Sequence, residues 1–140
     1  MKTKRVLEAY RAPAKLKLAA LWTSLMFLYV YGDYFNMYMP GKLEVMARGD
    51  VGPVNAADAT AMLAISMMMA VPALMIALSL LLPAVLSKWL NVLLGLVYAA
   101  ILAATLQGAP LFYLGYGAIE IPLSLFITWT ALSWPKEDAA

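Results

Sequence analysis

No cysteine and no histidine occur among the 140 residues, and only 13% are charged. Without Cys there is no disulfide, thiolate metal site, iron–sulfur cluster or Cys-x-x-Cys redox pair. Without His the chain lacks the commonest haem ligand, the commonest catalytic base and most ways of holding zinc. No nucleophile elbow, phosphate loop, metal-ligand cluster or dinucleotide fingerprint is present, so neither a cofactor nor a metal is expected. Scarce charge also argues against a water-soluble globule, in which about 25% of residues are charged. What abounds is apolar: 64% of the residues are hydrophobic and the mean hydropathy is +0.80. The length fits one small domain.

Four apolar stretches, at about 16–38, 59–82, 89–106 and 111–134, each approach the ~20 residues that cross a ~30 Å hydrocarbon core. They are continuously apolar, unlike the alternating strands of a membrane barrel. The expected fold is therefore all-α: a single domain over 1–140, an antiparallel bundle of four transmembrane helices with one long external loop at 39–58. Six basic residues precede the first stretch, as in a signal peptide. The segment Tyr31-Gly-Asp-Tyr-Phe-Asn-Met-Tyr38 has no small-x-small cleavage pattern, so the stretch reads as an uncleaved anchor.

Basic residues set the orientation. Eight of the ten precede the first stretch, lie in the second connection or follow the fourth stretch; only Lys42 and Arg48 fall on the opposite side. Both termini are thereby placed in the cytoplasm. The net charge of +2 marks topology and requires no nucleic-acid partner; the partner is the lipid bilayer. Residues 1–15 read as a short interfacial helix, with Val6, Leu7, Tyr10 and Ala14 on one face, and Pro13 starts the first span. An ordinary positive-inside anchor explains that segment, and binding to anionic lipid is the functional alternative. The external loop, which carries the amphipathic piece Lys42–Arg48, reads equally as a lid or partner-binding surface and as a spacer between antiparallel helices. Asn55 with Asp58 resembles a capping box for the second span.

Asp33 and Glu120 are the informative residues, since no Lys or Arg lies in the interior of a span, Lys17 standing at the entrance of the first. A carboxylate facing lipid costs several kcal/mol, so each acid should turn inward to hydrogen bonds, water or an outside cation. Counted from the external ends, Asp33 lies about 7–8 Å deep and Glu120 about 13–14 Å on a rise of 1.5 Å per residue. One outward-open pocket could hold both. Trp22, Met26, Tyr29, Asp33 and Asn36 form one stripe, and Tyr113, Gly117, Glu120 and Ser124 another. Tyr29, Tyr34, Asn36 and Tyr116 are the expected pocket partners, with Tyr34 off the stripe. Tyr98, Asn91 and Tyr113 are secondary candidates, the first two favoured as structural. Two adjacent acids would titrate as a coupled pair. Pro72 and Pro122 free the carbonyls of Met68 and Ala118, which in a membrane must find another donor. The run Met67-Met68-Met69 winds around its helix and reads as apolar filler.

Leu16-Lys-Leu, Leu21-Trp22, Met26-Phe-Leu-Tyr-Val-Tyr-Gly-Asp-Tyr-Phe35 and Tyr38-Met-Pro-Gly-Lys42 resemble an uncharacterised family of small bacterial membrane proteins. Met69-Ala-Val-Pro-Ala-Leu-Met75, Trp89-Leu-Asn91, Glu120 and Trp134-Pro-Lys136 extend the likeness over most of the chain. The resemblance implies four helices in a bacterial inner membrane and no established activity. A looser similarity to DoxX-like proteins rests on architecture and transfers no function. The leading functional expectation is an outward-facing polar pocket that binds or conducts a small cation, protons or a small amphipathic or lipophilic ligand. Conduction would call for a homo-oligomer or larger complex, since four helices leave little room for a pore. One alternative is a non-catalytic accessory or scaffolding subunit of a membrane complex. The other is a small enzyme acting on a lipid, quinone or sterol-like substrate.

Overall fold

The computed structural model describes residues 10–51 and 54–136. In chain order they form α1 (Ala14–Asn36), a short α2 (Lys42–Ala47), a two-residue ribbon of β1 (Asp50–Val51) and β2 (Val54–Asn55), then α3 (Ala59–Leu81), α4 (Ala84–Thr105) and α5 (Leu111–Leu132). The ribbon is antiparallel, with Asp50 opposite Asn55. Apart from it the fold is all-α. Helices α3, α4 and α5 are each long and apolar enough to cross a membrane. Helix α1 equals them in length but carries Lys15, Lys17 and Asp33, which lower its apolar character.

Proline sets three of the four long-helix starts. Pro13, Pro83 and Pro110 sit immediately before α1, α4 and α5 with extended ψ near 150°. Proline has no N–H to leave unpaired there, and its fixed φ suits a helix entrance. This corrects the expected start of the third span: α4 begins at Ala84, five residues before the apolar run at 89. Hydropathy treats Ser87 and Lys88 as flanking, whereas Pro83 launches the helix through them. Helix α5 likewise ends at Leu132, short of residue 134. The start of α3 also differs from the expected box. Asp58 is itself the cap, accepting from Thr60 and Ala61 N–H, while the Asn55 side chain accepts from Ala57 N–H. Tyr10–Pro13 is not helical, so the interfacial helix expected at 1–15 does not extend through them; residues 1–9 lie outside the described ones.

The long helices pack tightly at one end. The α4–α5 interface is the most extensive, α1 packs on both α3 and α5, and α3 touches α4 least among these neighbours. Gly95 sets the closest α4–α5 approach. A Cβ there would stand 2.3 Å from Thr128 Oγ1 and 3.0 Å from the Ser124 carbonyl oxygen. Ser124 Oγ donates to the Gly95 carbonyl across the same gap at 2.8 Å. Small residues and hydroxyls of this kind join helices where no hydrophobic drive separates helix from lipid.

A polar clamp fastens the N-terminal half of α1. Asn91, fully buried, accepts from Trp22 Nε1 at 2.7 Å and from Ser79 Oγ at 3.2 Å through one oxygen. Its Nδ2 donates to the Ser87 carbonyl at 2.8 Å, and Ser87 Oγ donates to the Ser79 carbonyl. One amide thereby ties α1, α3 and α4. Leu18, Leu25, Met75 and Ile127 close around it with almost no exposure. At the same end Lys15 Nζ donates to the carbonyls of Leu80 and Leu82, and Lys88 Nζ to that of Leu132. Both lysines thus satisfy carbonyls orphaned at helix C-termini, where a cation is also favoured by the dipole.

Asn91→Leu removes the shared acceptor and leaves the Trp22 and Ser79 donors buried. We expect a loss of about 1–3 kcal/mol of stability, the usual cost of stranded buried polar groups, measured by unfolding of the detergent-solubilised protein. An unchanged unfolding midpoint would show that the clamp does not hold this end.

Candidate functional site

The opposite end, where α1 terminates, is open. A cavity of about 620 Å³ lies between the segments 29–37 of α1, 65–69 of α3, 98–105 of α4 and 113–120 of α5. Lys42 and Met46 of α2 complete the lining. The opening follows from the packing: α3 and α4 make little contact, and the clamp at Asn91 binds them only near their shared hairpin.

Both acids singled out in the sequence reach this cavity. Asp33 and Glu120 line it together, with Tyr29, Tyr34, Asn36, Tyr98 and Tyr113. Asp33 stands within electrostatic reach of Glu120, and Tyr113 within reach of both. The helical spacing read from the sequence accounts for this convergence: Tyr29, Asp33 and Asn36 share one face of α1, and Tyr113 and Glu120 one face of α5. Glu120 is only 5% exposed as a residue.

Two expected site residues lie elsewhere. Asn91 belongs to the clamp, whose Trp22 precedes Asp33 by eleven residues, about 16 Å along the helix. Its role is structural, and it is not part of the pocket. Tyr116 is also absent from the lining; its ring packs on Gly32, where a Cβ would stand 3.7 Å from Cδ1. The aromatic ring and the glycine thus set how α5 lies on α1, one turn from the acids.

Tyr98 has two tasks. Its hydroxyl donates to the Met68 carbonyl, the group that Pro72 leaves without a helical donor. Its ring meets Trp22 edge-on, with centroids 5.9 Å apart and planes at 87°. The residue therefore connects the clamp to the cavity wall and satisfies a carbonyl that would otherwise be stranded. Tyr34, expected in the pocket although off the stripe, lines the cavity, and its hydroxyl is hydrogen-bonded to that of Tyr38.

Tyr29 differs from these phenols. It is 8% exposed, and its hydroxyl is buried without any hydrogen-bond partner. Such a group costs about 1–3 kcal/mol, and native proteins rarely leave one without a reason. Here it borders a cavity that also holds two carboxyls. Among the described residues no three carboxylates gather as a metal-binding group. The cavity thus offers a pair of acids, several phenols and, on its other walls, Ile65, Met68, Met69, Ile101 and Leu102.

Sequence reasoning missed the apolar walls and the roof. Met68 and Met69, read as filler, face the cavity, whereas Met67 is exposed. Helix spacing alone places these three methionines on different faces, and nothing in one sequence tells which face a neighbouring helix leaves uncovered. Lys42 and Met46 were legible only as part of an amphipathic piece; the structure places both in the lining of the cavity.

Tyr29→Phe deletes the unpaired hydroxyl while keeping the ring. We expect stability to stay level or rise by up to about 1 kcal/mol, because no hydrogen bond is lost and a buried polar atom is removed. A fall of that size instead would mean that the hydroxyl already has a structural partner. Thermal unfolding of the two proteins in one detergent decides it.

The chain belongs to a family of unknown function, DUF6326, which matches residues 5–140. No curated protein and no solved structure matches it, and no match ties it to the DoxX-like proteins.

Proposed function

We propose that this chain is a four-span protein of a bacterial inner membrane that binds a small amphipathic ligand with a cationic head in the cavity of Asp33 and Glu120. In this reading α1 is the fourth span, both termini are cytoplasmic and the cavity opens outward. Eight of ten basic residues on one side support that orientation. So do Lys15 and Lys88, which cap helix ends at the same level.

The observation that carries the reading is the unpartnered Tyr29 hydroxyl in one cavity with two acids. A ligand bearing a cation or hydrogen-bond donors would satisfy all three groups, and the faces of Tyr98 and Tyr113 suit a cationic head. The apolar walls suit a hydrocarbon portion. Binding is favoured over conduction within one chain, because Leu18, Trp22, Leu25 and Met75 fill the other end. Protons or an inorganic cation alone would leave the apolar half of the cavity without a role.

The test uses dodecyltrimethylammonium as a cationic probe, titrated into purified protein in a neutral detergent, with an uncharged alkyl glucoside as control. Saturation at 100 times Kd should raise the unfolding free energy by about 2.7 kcal/mol. Asp33→Asn and Glu120→Gln should each weaken binding at least tenfold, about 1.4 kcal/mol or more, while the variants stay folded. Undiminished probe binding by the double variant would sink the proposal. Lost assembly with a partner, and no change in probe binding, would favour the scaffolding alternative. Turnover of a lipophilic substrate would favour the enzyme.

A further inference from the structure

A second hollow, of about 590 Å³, lies at the opposite end of the molecule. It is formed where the chain enters α1 and where α5 ends. Arg11 and Lys17 supply two cations, Thr130 and Ser133 two hydroxyls, and Phe126 and Trp129 an aromatic wall. Among the described residues no acidic one is in its lining.

The cations at this end are differently employed. Lys15 and Lys88 are engaged with helix C-terminal carbonyls. Arg11 and Lys17 instead border the hollow from two sides of Pro13. Two positive charges in a recess with hydroxyl donors form a receptor for a phosphate ester, since an Arg guanidinium binds phosphate through paired N–H donors.

The apolar component is graded along the helix. Phe126 and Trp129 stack with centroids 5.4 Å apart and planes inclined by 24°. Phe126 lies about 10 Å nearer the middle of α5 than Ser133, on a rise of 1.5 Å per residue. The recess therefore runs from charged and hydroxyl groups at the helix ends to aromatic carbon at greater depth. That order matches a phospholipid standing in a leaflet, headgroup outermost and acyl chains inward. Tryptophan is itself favoured at this level of a bilayer.

We infer that the hollow of Arg11, Lys17, Thr130, Ser133, Phe126 and Trp129 is a binding site for one anionic phospholipid of the leaflet on the α1 N-terminal side. The two cations and hydroxyls take the phosphodiester, and the stacked aromatic pair takes the first carbons of an acyl chain. The site rests on the membrane placement of the helices proposed above, and not on the ligand read for the cavity of Asp33.

The experiment is native mass spectrometry of the full chain in a neutral detergent, titrated with dioleoyl-phosphatidylglycerol or dioleoyl-phosphatidylcholine. One phosphatidylglycerol should bind at least tenfold more tightly than phosphatidylcholine. The double substitution Arg11→Gln, Lys17→Gln should abolish that preference, while Arg48→Gln at the other end should leave it intact. Should the double variant fail to fold, each single substitution is expected to reduce the preference about threefold. Equal binding of the two lipids, or a preference unchanged in the charge variants, would overturn the site. Displacement of the lipid by equimolar glycerol 3-phosphate or inorganic phosphate would also overturn it, in favour of a soluble phosphate. Binding of dodecyltrimethylammonium by the same variants reports on the other cavity, so failure of one reading leaves the other standing.

Discussion

One buried amide organises this molecule. Asn91 takes two donors on a single oxygen and returns a donor to its own helix, tying α1 and α3 to α4 at one level. In a hydrocarbon surround, helices gain little from burying apolar side chains against one another, because the lipid solvates them equally well. A directional polar contact is then decisive in fixing which helices meet and where. Leu18, Leu25, Met75 and Ile127 pack to near-zero exposure around that point. Away from it α3 and α4 share little surface, and the space between them becomes the cavity.

The two ends consequently differ in kind. In and around the clamp, Asn91, Lys15 and Lys88 are matched: amide to indole and hydroxyl, ammonium to helix-terminal carbonyl. At the cavity end, acids and phenols gather, and one phenol is left without a partner. Matched polar groups hold helices together, and unmatched ones are what the proposed ligand would satisfy. The same residue types serve both purposes, and their accounts of donors and acceptors tell them apart.

Much of this was legible in the chain itself. Continuous apolar runs located α3 and α5 to within two residues at each end, and helical spacing brought Asp33, Glu120, Tyr29, Asn36 and Tyr113 to one cavity. Pro72 announced a stranded carbonyl at Met68, and the Tyr98 hydroxyl meets it. The failures have a common cause. Hydropathy measures solvent preference and not backbone chemistry, so it missed that Pro83 starts α4 ahead of the polar pair Ser87 and Lys88. Periodicity shows which residues share a face but not which neighbour that face meets. Tyr116 therefore looked like a pocket group and instead rests on Gly32, and Asn91 could not be separated from the site before its partners were known.

The bond from Tyr98 to Met68 makes residues on two helices mutually dependent. An alanine at 72 would supply the missing N–H to the Met68 carbonyl from within α3, and the phenol would become its second donor, no longer the one that satisfies it. A phenylalanine at 98 beside Pro72 would strand the carbonyl instead. The phenylalanine is therefore costly beside Pro72 and far less so beside an alanine. The pair is an epistatic unit with an order: in descendants of this chain the proline can be exchanged first, and only then the tyrosine.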